Sequence, residues 1–75
     1  MSISKYLLER KFKITITDDY VDILNYQEVS LFDDNHIVIK HNNSFLSIFG
    51  NDLTIIKWLD DEVLVAGEVI KIELR

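Results

Sequence analysis

"FLSIFGNDLTII", residues 45–56, is apolar almost throughout but is interrupted by Gly50-Asn51-Asp52, and a similar phrase, "VLVAGEVIKIEL", fills residues 63–74. Aligned on the glycines, Ile48-x-Gly50-x-x-Leu53-x-Ile55 has the spacing of Val65-x-Gly67-x-x-Ile70-x-Ile72. A strand puts residues i and i+2 on one face, so the odd step after each glycine must bend or bulge the chain. Glycine permits positive φ and close backbone approach at such a point. The reading is that the chain turns a corner at Gly50 and at Gly67 and continues in a neighbouring strand or sheet. Asn25 plays a third corner, with Ile23 before it and Val29 and Leu31 after it. Asparagine is the side-chain-bearing residue that best tolerates left-handed backbone.

Working outward, "FKITIT" at residues 12–17 alternates Phe12, Ile14 and Ile16 with polar neighbours, the period of a half-buried strand. Asp18-Asp19, Asp33-Asp34-Asn35, His41-Asn42-Asn43 and Asp60-Asp61 are turn signals. The apolar segments between them, 21–23, 29–32, 36–40, 45–49, 53–59, 62–66 and 69–74, are short and closely spaced. The expected fold is all-β, a small antiparallel β-sandwich or meander of about six to seven short strands. Residues 1–11 form an N-terminal arm or a short helix, in which Ser4 caps a helical turn through Arg10, and residues 12–75 form one β-domain.

The chain of 75 residues has no cysteine, which excludes disulfides and thiolate metal sites. So small a domain buries only roughly 60–65% of its unfolded surface, and association is the remaining supplement to its core. The net charge of −5 argues against phosphate-tracking nucleic-acid binding and against an anionic membrane surface. No apolar run reaches the roughly 20 residues of a membrane span, and none at the N-terminus resembles a secretory signal, so a cytoplasmic protein without membrane insertion is expected.

Catalytic constellations are missing. The acidic pairs read as turn formers and solubilising charges, with no spaced calcium loop. His36 and His41 lie five apart and so face opposite sides of a strand, which makes a shared metal ion a poor reading; exposed strand-end positions are the better one. No glycine elbow or base accompanies Ser44 or Ser47, and "FGND" lacks the glycines of a phosphate loop. No cofactor is expected.

The informative surface is the second face of the core strands. Phe45 and Phe49 oppose Leu46 and Ile48, while Ile56 and Trp58 oppose Leu53, Ile55 and Leu59. These four side chains are either core in strands that swap sheets or an exposed aromatic surface for a homodimer or a protein partner. The small chain tips the balance toward an interface that includes Trp58 or Phe45. On the last strand, Glu68, Lys71, Glu73 and Arg75 guard an edge, and lysines mark the first strand in the same way.

Taken together, "NYQEVSLFDDNHIVIK", "LSIFGNDLTII" and "EVLVAGEVIKIEL" resemble the YabP/YqfC family of sporulation proteins, closest to its YqfC branch. The matching positions are Asn25-Tyr26, Ile37 to Ile39, Ile48 to Ile55, Asp60 to Glu62 and Val65 to Ile72, covering roughly residues 21–74. Glu28 and Ser44 stand where the branch often has glycine. The resemblance implies a non-enzymatic all-β protein of the mother cell, acting late in spore development at the coat or cortex stage. It also implies a protein partner, a YqfD-like membrane protein. The alternative is a small β-barrel that binds a ligand or an oligonucleotide, which a basic, aromatic-studded face would favour.

Overall fold

The computed structural model describes residues 11–75. It contains six strands: β1 (Lys13–Ile16), β2 (Tyr20–Leu24), β3 (Glu28–Phe32), β4 (His36–His41), β5 (Ser44–Trp58) and β6 (Glu62–Leu74). The protein is all-β, with the strands in one antiparallel sheet of order β1-β2-β6-β5-β4-β3. Strands β3 to β6 form a meander of successive hairpins, and the β1–β2 hairpin joins through β2 against β6. The expected helical turn at Ser4–Arg10 lies outside the described residues.

The turns carry the chemistry that ends the strands. The Thr17 hydroxyl accepts the Asp19 and Tyr20 amides at 3.2 and 3.1 Å, closing the Asp18-Asp19 turn. The Asp33 carboxylate accepts the Asp34 amide at 2.7 Å, and Leu59 N–H reaches the Glu62 carbonyl at 2.7 Å across Asp60-Asp61. Asn42 turns the β4–β5 hairpin with φ 53°, and Asn25 ends β2 with φ 62°. Both occupy the left-handed region, where asparagine loses little.

Gly50 and Gly67 require a correction. The chain does not leave for a new strand at either one: β5 runs on through Gly50 and β6 through Gly67, and the two pair along their length. What the glycines permit is bulging at close approach. Register shifts fall between Phe49 and Gly50, between Asn51 and Thr54, and between Ile55 and Lys57. A Cβ on Gly50 would stand 2.0 Å from the Glu68 carbonyl oxygen, and one on Gly67 would stand 2.6 Å from that of Asp52. The repeated phrase is thus two arms of one long hairpin, each glycine facing main chain just beyond the other. Gly67 has φ 126°, while the left-handed residue on β5 is Asp52, with φ 53°.

These bulges let the sheet fold over. In the flat sheet β1 and β4 would lie four strand spacings apart, roughly 19 Å, yet the rings of Phe12, just before β1, and His41, ending β4, stack at 4.4 Å. The link from Leu24 to Glu28 likewise spans at most roughly 14 Å while carrying the chain from β2 to β3, also four positions apart. Hydrogen bonds from Gly50 N–H to Asn35 O (3.1 Å) and from Leu53 N–H to Asp34 O (2.7 Å) hold the β3–β4 turn against the bend.

The core forms on the inner face of the folded sheet. Val21 and Ile23 of β2, Val63 and Val65 of β6, Ile37 and Ile39 of β4, and Leu46, Ile48 and Leu53 of β5 make one cluster, each at most 3% exposed. A fully buried aliphatic side chain of this size contributes about 1.5–3 kcal/mol.

Candidate interaction surface

The four aromatic and aliphatic residues singled out in the sequence divide between two places. Phe45 and Phe49 alternate with buried Leu46 and Ile48 and so lie on the outer face of β5. Phe49 is covered: His36 of β4 stacks on its ring at 4.3 Å, and the Lys71 ammonium of β6 stands 5.7 Å from the ring centroid. Phe45 lies between Lys40 and Arg75 in the ladder and stays 43% exposed. This face is a set of aromatic–cation rows rather than an apolar patch.

Ile56 and Trp58 do not share a face as simple alternation predicts. The register steps from Ile55↔Val65 to Lys57↔Leu64, leaving Ile56 as an extra residue bulged from β5 and 59% exposed. That insertion reverses the phase, so Trp58 pairs with buried Val63 and sits on the core side, where alternation had placed it opposite. It lies at the rim of the core, 54% exposed, and meets Phe32 of β3, 50% exposed, edge-on at 6.0 Å between centroids. Phe45 and Trp58 therefore stand on opposite faces of the sheet.

The rim around Trp58 is apolar with an acidic border. The Tyr26 phenol donates to the Leu59 carbonyl, fixing the link after β2 over the end of β5. Burial raises the Tyr26 pKa above its ordinary value; an interaction with Trp58 opposes this, and Asp60 and Asp61 add to the rise. Lys57 is engaged by Glu62 at 3.1 Å. Sequence reasoning missed Phe32, whose place beside Trp58 depends on edge strand β3 meeting the C-terminal end of β5 across the fold of the sheet.

Other candidate chemistry is dispersed. His36 and His41 begin and end β4 as expected, but they are half-buried against Phe49 and Phe12 rather than exposed. Among the described residues no group of histidine, cysteine or carboxylate side chains could hold a metal ion. A shallow cleft of about 330 Å³ is lined by Gln27, Glu28 and Lys40. Asp22, on the outer face of β2, has a carboxyl raised above its ordinary pKa, first by burial and next by the adjoining Glu62, while Asp22 and Lys57 hold Glu62 below its own. Among the described residues no helix is long and apolar enough to cross a membrane.

The YabP family model matches residues 9–75, and the chain belongs to that family. No curated protein and no solved structure matches it.

Proposed function

We propose that this member of the YabP family is a non-enzymatic interaction component of spore development, offering the rim around Trp58 to a protein partner. The observation that carries this reading is the pair Phe32 and Trp58, about half exposed and locked edge-to-face at the mouth of the core. Rigid, half-buried aromatics are the side chains that anchor protein interfaces, because little conformational freedom is lost when they are covered. Asp33 and Asp60, in turns at the ends of β3 and β5, suit a partner that presents an apolar recess with basic residues around it. The family resemblance supplies the setting: the mother-cell cytoplasm, late coat or cortex assembly, and a YqfD-like membrane protein as the partner.

The test is a count of heat-resistant spores after deletion of the gene in its native host. Complementation by the wild type, but not by a Phe32→Ala/Trp58→Ala variant that accumulates and folds, supports the reading. Full complementation by that variant moves the interaction elsewhere on the surface, and an unchanged count on deletion removes the role in spore development.

A further inference from the structure

Strand β6 is flanked on both sides only at residues 62–66, five of its 13 residues. Residues 62–66 lie between β2 and β5, but from Gly67 onward no described strand occupies the β2 side. Among the described residues β6, central by sheet order, therefore has an open edge at residues 69–74.

The ladder shows which groups face that edge. Phe45 and Arg75 exchange both backbone bonds, at 2.7 and 3.0 Å, which makes them a hydrogen-bonded pair. The register continues without interruption to Phe49↔Lys71. Such pairs alternate, so Glu73 and Lys71 also bond to β5, while Leu74 and Ile72 aim their N–H and C=O groups at the open side. Along the same edge Ile70 is 67% and Leu74 57% exposed, on either side of half-buried Ile72.

Residues 70–74, Ile-Lys-Ile-Glu-Leu, alternate apolar, cationic, apolar, anionic, apolar. Reversed, the order is the same with the charges exchanged, so the segment is complementary to itself in antiparallel register about Ile72. We propose that two copies of this chain associate through this edge, β6 against β6, with Ile72 facing Ile72 on the two-fold axis. The outward amides and carbonyls of Ile72 then bond to each other, and Leu74 of each copy meets Ile70 of the other. Lys71 of each copy stands opposite Glu73 of the other in a pair not bonded through the backbone, the position where cross-strand side chains come closest. The contact is isologous and closes at two copies.

Charges on an edge strand more often block pairing than promote it. Here their order decides between the two. A guard of one sign would repel its own copy, whereas Lys71 and Glu73 attract theirs. Within one copy, Glu73 already engages Lys71 at 3.1 Å and Arg75. Pairs so exposed contribute little, so exchanging partners across the axis costs little. The inference stands on the sheet edge alone and does not depend on the role in spore development.

The experiment is sedimentation of the full chain across a concentration series, with variants chosen to leave the β5–β6 ladder intact. Wild type is expected at twice the chain mass of 8.8 kDa. Leu74→Pro removes an N–H that faces only the open edge and should leave a folded monomer, with unchanged far-ultraviolet dichroism. Lys71→Glu or Glu73→Lys alone should weaken association about tenfold, and the double exchange should restore it, because each then meets an opposite charge again. A wild-type monomer throughout the series overturns the proposal. So does a dimer that survives in folded Leu74→Pro, or a double exchange as weak as either single variant.

Discussion

Replacing Gly50 by alanine tests the account of the long hairpin most directly. An ordinary strand glycine changed to alanine stabilises a protein by about 0.5–1 kcal/mol, through a less flexible unfolded chain and a better strand former. Here the new methyl would stand 2.0 Å from the Glu68 carbonyl oxygen, 2.9 Å from its carbon and 3.0 Å from a Leu53 methyl. Restoring even a 3.0 Å contact moves the β6 main chain by about 1 Å at a bulge, where Asn51 faces Glu68. Overpacking that side chains can absorb costs about 1–3 kcal/mol. Displaced backbone, with its ladder bonds, puts the expected cost at about 3–5 kcal/mol. A domain of 75 residues holds only roughly 4–11 kcal/mol in total, so the variant should lose a large share of that reserve and unfold at a clearly lower urea concentration. Urea unfolding followed by Trp58 fluorescence and by far-ultraviolet dichroism measures the difference. A Gly50→Ala protein as stable as wild type, or more so, would refute the close approach of β5 and β6.

Three further outcomes follow from single contacts. A double-mutant cycle on Phe32→Ala and Trp58→Ala should return a coupling of about 0.5–1.5 kcal/mol for the edge-to-face pair; zero coupling would mean β3 does not meet the end of β5. Tyr26→Phe should cost about 0.5–1.5 kcal/mol by removing the bond to the Leu59 carbonyl. In wild type the Tyr26 phenol titrates above its ordinary value of 10.0 in the folded state. The unfolded chain therefore loses that proton first, and stability falls as pH rises past 10.0, an effect Tyr26→Phe should abolish. Asp22→Asn should stabilise the protein at neutral pH by about 0.5–1 kcal/mol, since Asp22 Oδ1 is buried without a hydrogen-bond partner and an amide can donate to Glu62. The sign follows from the raised Asp22 pKa. Its folded form holds the proton more tightly than the unfolded one, so its contribution improves as pH falls toward 3.8, whereas that of Glu62, lowered, is lost on acidification. The variant should lose the first trend and keep the second, as unfolding curves at acidic and neutral pH would show.

Much of the molecule is legible in its residues. Period-two alternation puts Ile37 with Ile39 and Leu46 with Ile48 on one face each, and all four are fully buried. The acidic pairs mark the turns, and the order of the phrases around Gly50 and Gly67 identifies the family. These signals survive because alternation and turn chemistry are local properties of the chain. What only the tertiary structure decided is non-local. Whether a glycine ends a strand or bulges it depends on the strand paired beside it, so β5 and β6 read as four segments and fold as two. The bulge at Ile56 is a feature of register with β6, and it alone carries Trp58 from the outer face to the rim of the core. The meeting of Phe32 with Trp58, and of Phe12 with His41, required the sheet to fold over on itself. A one-residue shift of register reverses every side chain beyond it, and a shift set by a distant strand leaves no local mark in the sequence.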